Sequence, residues 1–294
     1  MKKILFVIFV LFTNLSYSQE ASLLLNLKEG ETYFQNYKTN YVVKQRIGNK
    51  TYVTNVKINI KLSFYVKSVL DTGYLVEMYF LDNYTSVKTT GNKKGVVKSK
   101  EHSKNPANVL FARLRKFPML IVVTQTGDTY ELRGFDQIID SALNTMEDIT
   151  DQQRQYYKNT LLNYSQYGYN DMSLIYDTST VEVGHTWNYE YQVNAGIPLV
   201  VDATYTLAKI TPKYFIVTDT LEMYSTDEPV KNDYGTIVYD IKGNTIGNIR
   251  LDRESGWLTK SVLRQKLQGS YILTTDDGQI TVPYEFSSKI IISD

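Results

Sequence analysis

Few residues in this chain have the chemistry of catalysis or metal binding, because it contains no cysteine and only two histidines. His102 lies in a lysine-rich stretch, and His185 lies in a predicted turn before Trp187. Neither has a partner at metal-ligand spacing, and no Gly-x-Ser-x-Gly motif supports a serine hydrolase. Disulfides and cysteine-ligated metals are excluded outright. We therefore predict no catalytic residues, no metal-binding residues and no cofactor; the sequence leaves the ligand-binding residues unknown.

Acidic residues are the remaining chemical candidates, since two carboxyl groups can hydrolyse a glycosidic bond. The acids that stand out by position are Asp276-Asp277-Gly278 and the segment from Asp252 to Gly256. Acids beside glycine are typical of tight turns, where the carboxylate accepts backbone hydrogen bonds. We interpret both segments as hairpin turns, which leaves an acid-pair hydrolase as a third-ranked hypothesis.

The N-terminus has the pattern of a cleavable secretory signal peptide. Lys2 and Lys3 precede nine unbroken apolar residues, Ile4 to Phe12, and Ser16-Tyr17-Ser18 offers small side chains to a signal peptidase. The apolar run is too short for a membrane span, which needs about 20 residues. We expect a signal peptide at 1–18 cleaved after Ser18, and export to the periplasm or the extracellular space. We also expect no transmembrane span in the mature chain, and no lipoprotein anchor because cysteine is absent.

Loss of Lys2 and Lys3 with the predicted signal peptide changes the formal net charge from +1 to −1, and this balance predicts no long-range attraction to nucleic acid or anionic lipid, so we expect no nucleic-acid partner. Locally, the segment from Lys88 to Lys104 holds six lysines against the single acid Glu101. Such a run is typical of a solvated loop or a protected sheet edge, although contact with an anionic polymer or lipid headgroups stays open.

The elements that must position these residues are mainly strands. Every second residue from Tyr52 to Val66 suits a buried face, and polar residues stand between them, which predicts a long antiparallel strand. Gly48-Asn49 and Asp71-Thr72-Gly73 read as its flanking turns. The 25 tyrosines fit half-buried strand positions, and an aromatic binding surface is the alternative.

The middle of the chain changes to a helical period. Apolar residues from Phe135 to Met146 follow i, i+3, i+4, i+7 spacing, and Thr150 with Gln153 forms a capping box for a second helix ending near Gly168. We therefore predict an α+β fold, predominantly antiparallel β, with long curved sheets against which a helical insertion packs. Its parts are a first β half at 19–133, the insertion at 134–178 and a second β half at 179–294, combined in one domain.

The two predicted β halves show an internal repeat. Residues 30–40 align with residues 184–194, so that Gly, Thr, an aromatic residue, Tyr and Asn recur in register. We expect Gly30 to superpose on Gly184, Tyr33 to lie near the position of Trp187, and Trp187 to face the core. Equal spacing also suggests that Tyr65 corresponds to Tyr205, and that a Gly127 turn corresponds to the Gly256 turn.

Several motifs together resemble a family of exported bacterial proteins of unknown function. They are the signal peptide, Lys28 to Tyr33, the helical middle, Val183-Gly184-His185-Thr186-Trp187 and Ser255-Gly256-Trp257-Leu258. In that family a Val-Gly-Asp-x-Trp-like step opens the second β half, and here His185 stands in place of the acid. The resemblance implies an envelope protein with a curved sheet and helices on its concave side, similar to the lipoprotein-carrier half-barrel. It brings no known activity or site residues.

These observations favour an exported, non-enzymatic cell-envelope or secreted protein that binds a lipid or another apolar ligand in a groove between sheet and helices. The long amphipathic strands and the apolar helix stripes support this hypothesis. The alternative is a carbohydrate- or protein-binding module that uses exposed aromatic residues. The sequence leaves the ligand and the oligomeric state open.

Overall fold

The computed structural model describes residues 20–91, 95–98, 106–133, 135–144, 149–155, 158, 175–194, 196–232 and 235–294. The predicted signal peptide and His102 lie outside these residues. The described strands are β1 (Ala21–Leu23), β2 (Thr32–Ile47), β3 (Lys50–Leu70), β4 (Gly73–Thr89), β5 (Gly95–Lys98), β6 (Met119–Val123), β7 (Thr129–Arg133), β8 (Asp177–Val181), β9 (Thr186–Asn194), β10 (Pro198–Ile210), β11 (Tyr214–Ser225), β12 (Val230–Asn232), β13 (Gly235–Asp252), β14 (Leu258–Thr275) and β15 (Gly278–Ser293). The described helices are α1 (Pro106–Leu114) and α2 (Phe135–Asn144).

Thirteen of these strands form one antiparallel sheet. Its main order is β7-β6-β4-β3-β2-β15-β14-β13-β11-β10-β9, with β5 beside β4 and β12 beside β13. The remaining strands, β1 and β8, pair with each other in a small separate sheet. The last strand, β15, joins the two halves of the large sheet because it pairs with both β14 and β2.

The strands follow the alternation of the sequence. In β3, Val56, Leu62 and Val66 are buried, whereas Lys57 and Lys61 are exposed. The expected turns at residues 48–49 and 71–72 connect β3 to β2 and β4, so the predicted long hairpins are confirmed. A strand with one apolar and one polar face forms readily at a sheet surface that is solvated on one side only.

The large sheet curves around its main core. This core, here called the proximal cluster, includes Ile121 of β6 and Trp187 of β9, which lie near opposite ends of the strand order. In a flat sheet these two strands would lie about 40 Å apart, because neighbouring strands are spaced about 4.8 Å. Their membership of one cluster therefore requires a curved sheet. Its core-facing side is concave and its other side is convex.

The small sheet of β1 and β8 and the segment that follows β1 pack on the concave side of the large sheet, as part of the proximal cluster. Residues 24–27, here called the strap, run from β1 toward β2, and Leu25 and Leu27 are buried. The Leu25 N–H donates to the Gln125 carbonyl at 2.7 Å, and the Asn26 N–H donates to the Ser255 carbonyl at 2.8 Å. The Tyr74 hydroxyl donates to the Leu25 carbonyl at 2.8 Å. The strap is thus held by two turns of the large sheet.

The predicted α+β fold with a helical insertion at 134–178 is wrong, because the described chain is nearly all antiparallel β in one large sheet. Helix α2 does occupy part of that interval, but Asp177–Val181 is strand β8, and α1 lies inside the predicted first β half. Among the described residues of this interval, the helical period of the sequence gives helix α2 and the helical residues 151–155. The buried α2 residues Ile139 and Leu143 join the proximal cluster.

The capping box of the second predicted helix is confirmed locally. The Gln153 N–H donates to the Thr150 hydroxyl at 3.2 Å, and the Thr150 N–H donates to the Gln153 side-chain oxygen at 3.0 Å. Residues 151–155 are helical. The predicted apolar stripe from Tyr156 to Tyr164 and the stop at Gly168 lie outside the described residues.

The repeat around Gly30 and Gly184 is confirmed by equivalent hydrogen bonds. Each glycine has positive φ and donates its N–H to a fully buried strand residue, Val66 for Gly30 and Leu207 for Gly184. Val66 and Leu207 donate back to the residues that follow these glycines. Three residues after each glycine, Tyr33 pairs with Phe64 and Trp187 pairs with Tyr205. Tyr205 thus corresponds to Phe64, and the predicted match of Tyr65 with Tyr205 is wrong by one residue.

The glycine turns before β7 and β14 also match. The Gly127 N–H donates to the Thr124 carbonyl, and the Gly256 N–H donates to the Asp252 carbonyl. The Thr124 N–H donates in turn to the carbonyl of Asp128, the residue after Gly127, and the Asp252 N–H donates to the carbonyl of Trp257, the residue after Gly256. Each turn also accepts one backbone hydrogen bond from the strap, through the Gln125 or the Ser255 carbonyl. The predicted correspondence of these turns is therefore confirmed at the level of their hydrogen bonds.

Candidate functional site

A second apolar cluster, here called the distal cluster, lies on the concave face toward the other end of the strands. Its buried members come from five strands: Leu199 and Val201 (β10), Met223 (β11), Tyr239 and Ile241 (β13), Leu267 (β14) and Tyr284 (β15). Partly buried side chains of β2, β9 and the turns around them pack against these residues. No side chain of the described parts of α1 or α2 belongs to this cluster. In the described residues, the expected groove between sheet and helices therefore has no helical wall at this cluster, and the concave surface of the sheet over the cluster is here called the distal hollow.

Three concave-face positions beside the distal cluster carry no side chain. Gly243 pairs with both Met223 and Leu267, and Gly269 pairs with both Ile241 and Tyr284. Gly247 lies four residues after Gly243 on the same face of β13. Glycine inside a strand permits a tight bend. A Cβ at position 243 would lie 1.9 Å from the Lys266 carbonyl oxygen, and one at position 269 would lie 2.0 Å from the Asp240 carbonyl oxygen, so neighbouring backbone already occupies these positions. The glycines therefore let the central strands bend and approach each other closely beside the apolar residues.

Tyrosine hydroxyls supply the polar groups of the distal cluster. The Tyr239 hydroxyl donates to the Gly196 carbonyl at 3.2 Å, and the Gln45 amide donates to the Tyr271 hydroxyl at 3.3 Å. Burial raises the pKa of Tyr239 and Tyr271, and burial together with the neighbouring tyrosines raises the pKa of Tyr284 to about 12. The three hydroxyls are therefore neutral at physiological pH. They offer hydrogen bonds and no charge.

A polar row separates the distal from the proximal cluster. Thr245, Gln265 and Ser288 pair across β13, β14 and β15 on the concave face. The Ser288 hydroxyl donates to the Gln265 side-chain oxygen at 3.3 Å. One side of the apolar hollow is thus bordered by neutral hydroxyl and amide groups. This arrangement suits a ligand with an apolar tail and an uncharged polar group.

Asp219 is the one buried acidic residue of the described chain, and the sequence analysis did not single it out. It lies on the concave face of β11, where its pairing partners are Tyr205 and Gly247. A side chain at position 247 would start 2.0 Å from its Oδ1 atom, so glycine there makes room for the carboxylate. The available signal was its position, since Asp219 interrupts the apolar alternation of Phe215, Val217, Leu221 and Met223.

The acids and the histidine considered from sequence have structural partners. The Asp252 carboxylate accepts hydrogen bonds from the Glu254 N–H and from the N–H and hydroxyl of Ser255, so it caps a turn. Asp276 and Asp277 form the turn between β14 and β15. His185 Nε2 lies 3.0 Å from Asp177 Oδ2, and the His185 ring stacks on Trp187. The structure brings none of these acids together as a catalytic pair.

The described exposed aromatic residues are scattered along the sheet. They are Phe34 of β2, Tyr52 near the start of β3, Tyr65 near the end of β3, Phe117 just before β6, Tyr189 of β9 and Tyr224 near the end of β11. Trp187 is buried at 8% exposure and Trp257 at 5%, so the prediction that Trp187 faces the core is confirmed. Neither indole forms part of an exposed binding platform.

The described residues form neither a metal site nor a membrane-spanning helix. No group of three or more His, Asp or Glu side chains there is arranged to hold a metal ion. No helix in the same part of the chain is long and apolar enough to cross a membrane.

Comparison with solved structures identifies a relative of this fold. Lipovitellin, in a structure concerned with lipid–protein interactions, matches with a TM-score of 0.52 at 10% identity. The match covers 92% of this chain and 26% of the lipovitellin chain, so this protein spans about a quarter of that chain. An outer membrane channel from Pseudomonas putida F1 gives a TM-score of 0.26 at 7% identity, over 92% of this chain and 97% of the other. The lipovitellin match shows a shared fold alone.

Comparison with curated proteins gave no match. A family model matches residues 71–258, which is more than half of the chain. The resemblance to a family of unknown function is thus confirmed, and the chain belongs to the family of unknown function DUF6263.

Proposed function

We propose that this protein is an exported, non-enzymatic cell-envelope or secreted protein that binds a lipid or another apolar ligand in the distal hollow of its sheet. The observation that carries the proposal is the distal cluster, in which large apolar side chains from five strands converge on the concave face of the sheet. Burying an acyl chain there is favourable at about 0.8 kcal/mol for each methylene removed from water.

The polar groups of the hollow support a ligand with a neutral or weakly polar end. The polar row of Thr245, Gln265 and Ser288 and the neutral tyrosine hydroxyls offer hydrogen bonds without a buried counter-charge. An ionised headgroup buried there would lose its hydration without gaining a partner of opposite charge. The protein is therefore proposed to take an acyl chain, a fatty alcohol or a similar molecule with its tail over the distal cluster.

Two further observations support parts of the proposal. Lipovitellin, whose solved structure concerns lipid–protein interactions, shares this fold, and by analogy of fold this supports a lipid ligand. The N-terminal sequence pattern supports export, which predicts that the protein recovered from outside the cytoplasm begins at Gln19. The turn-capping role of Asp252 supports a non-enzymatic function over an acid-pair hydrolase.

The ligand site can be tested with a tryptophan reporter. Met223→Trp places an indole in the distal hollow, whereas Ile246→Trp places one on the convex face of β13, where Ile246 is 52% exposed. A brominated fatty acid should quench the added fluorescence of Met223→Trp and leave that of Ile246→Trp unchanged. The buried Trp187 and Trp257 of the proximal cluster provide the common background.

Native mass spectrometry of the unaltered protein gives an independent measurement. Gentle purification should yield a species carrying a bound lipid, removable by organic extraction. Recovery of ligand-free protein that also fails to take up fluorescent fatty acid would refute the proposal. Equal quenching of both reporter variants would show surface adsorption instead of binding in the hollow.

A further inference from the structure

The convex face of five consecutive strands is strongly basic. These strands are β13, β14, β15, β2 and β3 in the order of the sheet. Six exposed cations near the middle of this face define what we call the basic belt: Lys38, Lys57, Lys242, Arg264, Lys266 and Lys289. None of the six forms an ion pair with another described residue. Arg250, Lys44 and Lys260 extend the same face at its margins, whereas Lys61 lies opposite Asp82 of β4.

Few acids balance this face. On the same side of these five strands lie Asp240, Glu285 and Asp252. Glu285 pairs with Lys44 at 3.0 Å, and Asp252 is used in its turn. The net charge of +1 therefore conceals a segregation of charge that composition alone could not show. The average charge therefore does not describe the charge of this face.

The register of the strands places like charges directly opposite each other. Arg264 pairs with Lys289 across β14 and β15, and Arg250 pairs with Lys260 across β13 and β14. Like charges at directly opposite positions destabilise a sheet. Charged residues at other positions would keep the protein equally soluble, so solubility does not explain why like charges lie directly opposite each other. An external anion that binds the belt would relieve the repulsion.

The shape and composition of the belt favour a bilayer surface. The face is convex, so a second copy would meet it only along a narrow strip, whereas a deformable membrane can follow it. The aliphatic residues Ile246, Val262 and Ile291 lie among the cations on this face. Aliphatic side chains beside lysine and arginine suit the boundary between headgroups and acyl chains. Single-stranded nucleic acid would instead be met by aromatic stacking groups.

We propose that the basic belt docks the protein on membranes containing anionic phospholipid, with the convex face toward the headgroups. The contact is electrostatic and reversible, and it leaves the concave hollow facing away from that membrane. This inference does not depend on the identity, or the existence, of a ligand in the hollow.

The test uses the mature chain and sedimentation with vesicles of phosphatidylglycerol and phosphatidylcholine in equal parts, or of phosphatidylcholine alone. Binding is expected to the anionic vesicles only, and to fall as sodium chloride rises from about 0.05 to 0.5 M. The triple variant Lys57→Gln, Arg264→Gln, Lys289→Gln should bind roughly 100-fold more weakly, at about fivefold for each cation near the surface. It should unfold at the same or a higher denaturant concentration, because the Arg264–Lys289 repulsion is removed.

A matched control removes three cations elsewhere: Lys50→Gln, Lys213→Gln and Lys231→Gln, all at exposed positions outside the belt. Equal loss of binding in both triple variants would overturn the proposal, because it would show an effect of net charge alone. Equal binding to neutral vesicles would also overturn it and would point to the apolar hollow. A dimer that is seen by light scattering and depends on the belt would overturn the proposal as well. Stronger binding to single-stranded DNA than to vesicles would also overturn it. The Met223→Trp reporter should behave alike in both triple variants, which separates this proposal from the ligand site.

Discussion

Gly256→Ala tests the contact between the strap and the large sheet. Gly256 has φ of 69°, and a Cβ there would lie 2.1 Å from the Leu24 carbonyl oxygen. The left-handed conformation costs a residue with a Cβ about 1–2 kcal/mol. Displacing a packed backbone segment adds about 1–3 kcal/mol. Because the Asn26 hydrogen bond to Ser255 is also disturbed, we expect a total loss of about 2–5 kcal/mol in the free energy of unfolding.

Gly30→Ala is the matched control for this prediction. Gly30 has a similar φ of 81°, but no atom lies within 4 Å of the position that its Cβ would take. We expect a loss of only about 1–2 kcal/mol, from the backbone conformation alone. Urea unfolding followed by tryptophan fluorescence measures both variants. Equal destabilisation would refute the reasoning, because it would mean that the strap yields without cost.

Two further substitutions test the opening of β9. Trp187→Ala should destabilise by about 3–5 kcal/mol, since it empties a buried site stacked on Tyr205; loss of ligand binding at an unchanged urea midpoint would contradict this. Burial raises the pKa of Asp177, but hydrogen bonds from Ser179 and His185 outweigh it and leave that pKa below its usual value. Asp177 therefore stabilises the fold above about pH 4, and this contribution is lost as pH falls through its folded pKa. Wild type should thus exceed Asp177→Asn in urea stability at pH 6, by a margin that shrinks toward pH 3; a constant margin would exclude this role.

Local features of the fold could be predicted from sequence because they depend on neighbouring residues. The alternation in β3 and the turns at residues 48–49 and 71–72 are decided by side-chain period and turn chemistry. The glycine turns at Gly30 and Gly184 carried enough identity to reveal a repeat. Helix α1 was missed because it has only nine residues, beginning at Pro106, and such a short run shows no clear helical period within a strand-rich region.

The strand order could not be predicted in the same way. The β15–β2 pairing joins residues such as Phe286 and Val43, which no local pattern connects. The distal cluster depends on that order, so sequence could predict which side chains face inward but not that they meet. Asp219 was readable as a polar residue at an inward position, whereas its contact with Gly247 needed the pairing of β11 with β13.

The position of β15 also determines when this chain can finish folding. Its residues pair with β2, which lies some 240 residues earlier, for example Tyr284 with Gln45. Contacts of such sequence separation are slow to form, because a long loop must close before they contribute any stability. Until the last strand arrives, β2 and β14 both have open edges in the middle of the future sheet, where they can pair with other chains. We therefore expect pairing of the final sixteen-residue strand to limit the rate of folding, and a chain that ends before Gly278 to aggregate.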